Sequence, residues 1–571
     1  MMELVEEVNF ALYGFRPWRP VRIRRTCLLS LLNICSREEG RRLIKERGMT
    51  NMIVDAILDL NFDDTVSSLG ATALLYVLAS DVEDDALLDS PACVRFLLKL
   101  MSLPMESVEK NTMKIDFDLS EVHKSQSMDI ANKGVDSTCR AIISKVKELL
   151  SLFNDSRAGS DGDDGMKKPE LSAKWIALLI IEKACLSSVS FKDMTEMTEK
   201  VWGNFKESFR ELKGLDAIFH VVTDCHSTLE GWFKKKSVSV LASKDGDNAS
   251  LESVVLLLKS LKIMENATFM SEDNQNYLLK MKPKSESGGV PLSFVSTIIS
   301  CIRFLSGLTL RSSISSILDN GKSPLSSSGA CMMENVTGAW LLYLVLMNLT
   351  NNNLVGCQQI GACGGLDTLA SLIASHFPKY DLFIPTDTEI EESMTFFNRS
   401  KVSGRINDRN LNDHELDFLV AILGLLVNLV EKDSLNRLRL ASARVLVTPP
   451  GTSTSMEAYR DVVPLLCSIF MSNQGAGNAA KEEEDDEASL LQSQREAEMM
   501  IIEAYTALLL AFLSTESTTV KETIARCLPN HRLEILVPVL ERFVAFHLNL
   551  NMISPETHSA VVKVIESCKE P

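Results

Sequence analysis

The stretch that decides the fold reads LYLVLMNLTNNN at residues 342–353 and GACGGLDTLASLI at residues 361–373. Four apolar residues of its first part fall at the helical spacing i, i+3, i+4, i+7, namely Leu342, Val345, Leu346 and Leu349. The same spacing returns after the Asn-rich segment and the glycine turn, in Leu366, Leu369, Ala370 and Ile373. Each set forms one apolar stripe on a helix. The stretch therefore predicts two amphipathic helices joined by a short polar segment.

This helical unit recurs along the chain. Stripes of the same kind occur at Leu28–Cys35, Val254–Leu261, Ile422–Leu429 and Ile502–Phe512. A single unit cannot bury its own stripe, so successive units must stack against each other. The predicted fold is all-α, an armadillo/HEAT-like α-solenoid. The central units recur about every 80 residues, roughly twice the usual period of such repeats, which predicts degenerate repeats with disordered insertions.

Four of the first helices carry an asparagine near the end of the stripe, at Asn33, Asn266, Asn348 and Asn428. A catalytic function is not indicated, because no partner residues accompany these amides. Buried amides commonly satisfy backbone groups where a helix ends. The sequence therefore predicts that these four side chains are structural.

Shifts in composition divide the chain into five segments. We predict N-terminal helical repeats at 1–102, a flexible insertion with one helix at 103–170, central armadillo-like repeats at 171–470, an acidic linker at 471–490 and a C-terminal helical repeat at 491–571. Loops are predicted near 312–338 and 378–413 within the central repeats. Clustered like charge and low hydrophobicity predict that Asp161–Asp164 and Glu482–Glu487 are mobile.

Composition and motifs exclude several classes of function. A net charge of −17 makes the whole chain a poor binder of DNA phosphates or anionic lipid. No apolar run reaches the ~18 residues of a membrane span. The 13 scattered cysteines are typical of reduced thiols in the cell interior. The chain lacks a phosphate-binding loop, a Cys-x-x-Cys pair and a Gly-x-Ser-x-Gly elbow. We predict no catalytic, cofactor-binding or metal-binding residues and a non-enzymatic protein.

A basic segment between Arg16 and Arg47 contrasts with the acidic chain. Its candidate partner-binding residues are Arg22, Arg24, Arg25, Arg41 and Arg42. Two interpretations remain open: a solvated helix face, or a surface for an acidic protein partner or DNA. A protein partner is favoured over DNA. Reversing Arg22 and Arg25 to Glu is expected to change the free energy of unfolding by at most about 1 kcal/mol.

Several segments resemble those of one known family both in their order along the chain and in their amino-acid sequence. They are Glu7–Leu12, Val21–Leu32, Glu211–Asp216 (with Lys213 where the family has Gly) and Leu261–Thr268. These segments resemble the wings apart-like domain, and Pro169–Leu179 is similar to its plant branch. The resemblance extends from about Met2 to about Val544, so the chain is expected to begin inside the family's domain. It contains no Phe-Gly-Phe tripeptide, which animal members carry before that domain.

The resemblance implies a regulator of cohesin. Family members bind cohesin subunits together with a second helical-repeat regulator, and open the ring where the ATPase subunit meets the kleisin. They act in prophase, meiosis and interphase turnover, which implies a nuclear, chromatin-associated protein with a further pool in the cytoplasm. The alternative left open is a general armadillo-type adaptor, for nuclear transport or for a ubiquitin ligase.

Overall fold

The structure is a computed structural model. It describes residues 2–60, 64–80, 87–103, 129–155, 171–187, 205–238, 244–282, 292–305, 342–377, 380, 411–447, 458–475, 487–550 and 554–569. Two segments were predicted to be mobile, 161–164 and 482–487. The first lies outside the described residues, as do residues 482–486 of the second and the loop predicted near 312–338, whereas Glu487 is helical. The chain divides into two compact units, Met1–Leu278 and Leu279–Pro571. This division falls inside the region predicted as one central array at 171–470.

The first unit begins with two helices and continues as three-helix repeats. In chain order the helices are α1 (Met2–Gly14), α2 (Val21–Cys35), α3 (Glu38–Glu46), α4 (Thr50–Leu58), α5 (Thr65–Ser80), α6 (Pro91–Met101), α7 (Asp129–Asp155), α8 (Ala173–Ser187), α9 (Phe205–Glu211), α10 (Gly214–Val238) and α11 (Lys244–Thr268). The repeats are α3–α5, α6–α8 and α9–α11. A further helix, α12 (Glu272–Lys280), spans the division between the units.

The second unit has the same kind of order. Its helices are α13 (Phe294–Leu305), α14 (342–350), α15 (Leu354–Ala362), α16 (Gly365–His376), α17 (Asp413–Glu431), α18 (Ser434–Ala441), α19 (Val462–Ser472), α20 (Glu487–Ser514), α21 (Thr518–Cys527), α22 (Val537–Asn549) and α23 (Pro555–Lys569). Short 3-10 turns at Pro529–His531 and Leu533–Leu536 lead into α22. Strands β1 (Arg444–Val447) and β2 (Ala458–Asp461) pair antiparallel before α19.

The third helices of successive repeats pack side by side within each unit. In the first unit α2, which precedes the first complete repeat, contacts α5, while α5 contacts α8 and α8 contacts α11. In the second unit the repeats are α15–α17, α18–α20 and α21–α23, and α17 contacts α20 while α20 contacts α23. Every residue of α5 from Val66 to Ala79 is buried, because neighbouring helices cover it on several sides. A helix that is apolar on all sides belongs in a core. The prediction of an all-α fold built from degenerate armadillo-like repeats is confirmed.

Short polar segments between the helices act as N-caps. The Asn353 side chain accepts a hydrogen bond from the Gly356 amide at 3.1 Å, and Asp433 accepts one from the Asn436 amide at 2.7 Å. Each cap satisfies an amide at the start of a helix that would otherwise lack a partner. The polar residues that follow each apolar stripe therefore determine where the next short helix begins.

A left-handed residue forms the turn between the first and second helices of several repeats. Gly48 has φ 64°, Gly364 has φ 74°, and Lys213 has φ 68° at the corresponding place. Glycine adopts this conformation without steric cost, whereas lysine does not. The Lys213 amine donates to the Tyr277 hydroxyl at 2.9 Å, which donates to Asp216 at 2.5 Å. These contacts hold the lysine in a position where the family's motif has glycine.

Buried amides join two of the short helices, α12 and α18, to the end of the preceding long helix. The Asn274 side chain donates to the carbonyl of Ala267 at 2.9 Å, and Asn436 donates to the carbonyls of Leu429 at 3.0 Å and Cys357 at 2.9 Å. The last carbonyls of a helix lack partners within it. These asparagines therefore satisfy helix ends inside the core.

The four asparagines singled out from the sequence differ in their environments. Asn266 is buried and its amide lies 3.4 Å from the carbonyl of Glu182, while the half-buried Asn428 donates to the Thr350 hydroxyl at 3.3 Å. Asn348 is also half-buried, but Asn33 is exposed. The structural prediction is therefore wrong for Asn33, because the end of α2 leaves that position on the outer face.

The region predicted as a flexible insertion at 103–170 contains α7, and α7 belongs to the core. It packs against α2 and α5. Its buried apolar residues are Cys139, Ile142, Ile143, Val146 and Leu149. Their helical spacing is that of a core-facing stripe. A helix was predicted within 103–170, and α7 is a helix in that region whose apolar stripe is covered by α2 and α5.

One segment among the described residues, Gln494–Ser514 of α20, is long and apolar enough to span a membrane by length and composition. The protein buries 72% of it. It packs between α17, α19 and α23, and it contains Glu503, whose carboxylate lies 3.3 Å from the Arg542 guanidinium. Contacts within the protein thus account for its apolar character.

We expect Leu346→Asp to lower the free energy of unfolding by several kcal/mol, because the Leu346 side chain is fully buried and a charge there would have no partner. Val355→Asp is the matched control, since Val355 is half exposed at the start of α15 and an acidic residue is favourable there. Chemical denaturation measures both. An equal loss in the two variants would contradict the buried stripe.

We expect Asn436→Ala to destabilise the protein by about 1–3 kcal/mol, because the buried carbonyl of Leu429 at the end of α17 loses its donor. Asn33→Ala removes the same amide from an exposed site and should change stability by no more than about 0.5 kcal/mol. Thermal unfolding of the two variants beside the wild type provides the comparison. Comparable melting temperatures for both variants would contradict the assigned role of Asn436.

Candidate protein-interaction surface

The candidate surface lies at the N-terminal end of the first unit, on α1, α2 and α3. The apolar stripe of α2 is buried, including Leu28 and Leu32. Arginine dominates the first turn of α2 and the middle of α3. Because α2 has one face against α5 and α7, the orientation of each arginine decides whether it can contact a partner.

Arg25 is held in an internal ion pair. Its guanidinium donates two hydrogen bonds to the Asp64 carboxylate, at 2.8 Å and 2.6 Å, and Asp64 is buried. Burial disfavours the charged carboxylate, but hydrogen bonds from Arg25 and Ser67 outweigh that effect and lower the pKa of Asp64. The pKa of Arg25 is raised chiefly by the hydrogen bond to Asp64. This pair joins α2 to the start of α5.

Two other candidates also serve the fold. Arg24 is 6% exposed, and its Nε has no hydrogen-bond partner. The Arg41 Nη1 donates to the carbonyls of Cys35 at 3.0 Å and Ser36 at 3.3 Å, where α2 ends. The Arg41 guanidinium also lies 5.1 Å from the ring centroid of Phe153. A cation at the C-terminus of a helix stabilises its last carbonyls, so Arg41 ties α2, α3 and α7 together.

Arg22 and Arg42 are the exposed members of the predicted set. The Arg22 side chain is exposed in the first turn of α2, and the Arg42 guanidinium lies 3.7 Å from Glu46 on the exposed face of α3. An exposed pair of this kind contributes little to stability. The structure thus divides the five candidates into three that the fold engages and two that remain accessible.

The predicted set omitted an aromatic surface next to the arginines. Phe10, Tyr13 and Trp18 are 75%, 61% and 70% exposed. The guanidinium of Arg19 lies 4.4 Å from the ring centroid of Tyr13, and that of Arg16 lies 5.3 Å from the ring of Trp18. The signal was present in the sequence, because aromatic and basic residues alternate between Phe10 and Arg19.

No group of three His, Cys, Asp or Glu side chains within the described ranges is placed to hold a metal ion. The described cysteines are free thiols, most of them buried. Burial raises the pKa of Cys93 to about 11, and a buried protonated thiol behaves as a small apolar side chain. Among the described residues, the arginines and aromatic rings of α1–α3 are therefore the best candidates for binding a partner.

The fold defines the class of the protein: an all-α, armadillo-like helical-repeat protein. A family model described as wings apart-like protein regulation of heterochromatin matches residues 1–397. The chain is 35% identical to Wings apart-like protein 1 of Arabidopsis thaliana, with 100% of the chain and 83% of that protein covered, and 34% identical to Wings apart-like protein 2, with 89% of that protein covered. The chain belongs to the wings apart-like family.

A more distant relative belongs to the same family, and the similarity to solved structures is low. The human Wings apart-like protein homolog is 21% identical over 99% of the chain and 45% of that protein. A solved chain from a study of the phosphorylation switch between cadherin and beta-catenin gives a TM-score of 0.29 at 14% identity, covering 98% of this chain and 88% of the other. A structure of the SYS-1/POP-1 complex gives 0.19 at 9% identity, with each chain covered fully. These scores are too low to argue from.

We expect Arg25→Glu to destabilise the protein by about 3–5 kcal/mol, since it places a second carboxylate against the buried Asp64 and leaves that charge unpaired. For this reason we expect reversal of Arg22 and Arg25 together to cost several kcal/mol, more than the limit of about 1 kcal/mol expected from the sequence. Arg22→Glu alone should change stability by no more than about 0.5 kcal/mol. Urea titration of the two single variants measures the difference, and equal midpoints would rule out a structural role for the ion pair.

Proposed function

We propose that the protein is a non-enzymatic regulator that binds cohesin and promotes its release from chromatin in the nucleus. The observation that carries the proposal is the family membership, which extends over the whole chain at about one third identity to two plant members. The proposed release occurs between the ATPase subunit and the kleisin, with a second helical-repeat regulator bound. Cohesin itself supplies the ATP hydrolysis.

A helical-repeat protein can promote release by binding one state of its partner more tightly than another. A factor that binds the open ring better than the closed ring shifts the population toward the open ring. Shifting the ratio from 1:99 to 99:1 requires about a 10⁴-fold preference. Extended stacks of helices suit this role, because they offer contacts distributed over several repeats.

We further propose that the exposed arginines of the basic segment contact an acidic surface of cohesin. Arg22 and Arg42 are accessible, whereas Arg24, Arg25 and Arg41 are engaged within the fold. The chain carries a net charge of −17, which opposes approach to DNA. Screening limits this repulsion to about 8 Å at physiological ionic strength, so the charge argument alone is weak, and family membership is the observation that supports a protein partner.

The general adaptor is not favoured. An importin-like adaptor would need regular Trp-x-x-x-Asn pairs on successive repeats, and the sequence does not supply them. Membership of the wings apart-like family points instead to the chromosome regulator.

We expect the double variant Arg22→Glu, Arg42→Glu to bind cohesin about tenfold more weakly, a factor that corresponds to 1.4 kcal/mol. The control is Arg532→Glu, which reverses an exposed arginine in the last repeat. Quantitative co-precipitation with purified cohesin measures binding, and denaturation confirms that the variants fold. Undiminished cohesin binding by the folded double variant would refute the assigned surface.

The release activity is tested separately. Cohesin loaded on circular DNA is incubated with this protein, the second helical-repeat regulator and ATP, and DNA release is timed. Faster release with ATPase-active cohesin, and none with an ATPase-dead cohesin, is the expected result. An unchanged release rate despite stable binding would contradict the proposed mechanism while leaving the binding surface intact.

A further inference from the structure

The outer face of α1 and the turn that follows it carry three exposed aromatic residues. The inner face of α1, including Val8 and Ala11, is buried. Phe10 and Tyr13 are one turn apart on the opposite face, and Trp18 follows in the turn before α2. Single exposed apolar residues are ordinary on protein surfaces, but clusters of large ones mark interaction sites.

The arginines of this face are available to a ligand. Arg19 lies over the Tyr13 ring and Arg16 lies near the Trp18 ring. Neither arginine forms an ion pair within the described part of the chain, and Arg16 is exposed while Arg19 is half-buried. Because ring contacts orient these guanidinium groups without neutralising them, they can still pair with carboxylates.

The charge on this face is polarised along α1. Glu6 is exposed one turn before Phe10, and the nearby Glu7 accepts a hydrogen bond from Ser30 at 2.9 Å. The arginines occupy the other end, beyond Tyr13. A ligand that covers the aromatic residues therefore meets an acidic end and a basic end, and its own carboxylates must lie at the basic end.

We infer that Phe10, Tyr13, Arg16, Trp18 and Arg19 form a docking site for a short peptide segment of another protein that carries acidic and apolar side chains. The site combines aromatic residues with arginine and contains no lysine, which is the composition of the energetically dominant parts of protein interfaces. The carboxylates of the peptide pair with the two arginines, and its apolar side chains pack on the three rings.

Single-stranded nucleic acid fits these observations less well. Bases stack on aromatic rings along a groove that is positively charged throughout its length, whereas the charge of this face changes sign along α1. Affinity for phosphates also grows with the number of cations engaged. This face offers two arginines, with Glu6 exposed at its other end.

This inference does not require that the partner be cohesin, and its test uses the purified chain alone. A random twelve-residue peptide library displayed on phage is selected against the wild-type protein. The expected result is enrichment of peptides that contain both Asp or Glu and Leu, Ile, Phe or Trp. Synthetic copies should bind at least tenfold more weakly to Trp18→Ala and to Arg16→Glu. The control Phe546→Ala removes a distant exposed aromatic residue and should bind as the wild type does.

Several outcomes would overturn the inference. These are the absence of enriched peptides, enriched peptides without acidic residues, and peptides that bind Trp18→Ala as tightly as the wild type. A labelled 20-nucleotide single strand that binds the wild type at physiological salt and is lost in Trp18→Ala would assign the face to nucleic acid instead. A dimer in sedimentation that Trp18→Ala dissociates would assign it to a second copy of this chain.

Discussion

The third helix of each repeat can bury its apolar residues only between the third helices of the repeats before and after it. This constraint is clearest for α5, whose residues are buried on all sides because α2, α7 and α8 surround it. In the second unit, α20 occupies the corresponding place between α17 and α23. A repeat separated from its neighbours would expose these surfaces to water, so stability is a property of the stack and not of one helix.

Burying helix ends in such a stack creates a second requirement, because each end presents backbone groups without partners. Side chains that follow in the sequence supply the missing bonds. Asn353 and Asp433 cap the starts of short helices, while Asn436 satisfies carbonyls of two different helices at once. The polar connectors therefore contribute specific hydrogen bonds at the helix ends, just as the apolar stripes contribute specific packing.

The need to satisfy helix ends also explains why only some arginines of the basic segment between Arg16 and Arg47 are exposed. Arg41 bonds to the last carbonyls of α2, and Arg25 neutralises a carboxylate at the start of α5. Both bonds join elements that are adjacent in the first unit. The arginines that remain exposed in this segment are Arg16, Arg22, Arg37, Arg42 and Arg47. Arg16 and the half-buried Arg19 contact exposed aromatic rings. The residues available to a partner are thus those that do not hold the helices of the stack together.

The sequence by itself determined the helical class, the stripes such as Leu342–Leu349 and Leu366–Ile373, the turn at Gly364 and the membership of a family. These features depend on residues close together in the chain, where the helical period makes them visible. Only the tertiary structure decided that Asn436 is buried while Asn33 is exposed, that α7 belongs to the core, and that Arg25 pairs with Asp64. The physical reason is that burial and ion pairing depend on which element lies opposite a side chain. The residues concerned are separated by tens of positions along the chain, and local periodicity carries no information about that separation.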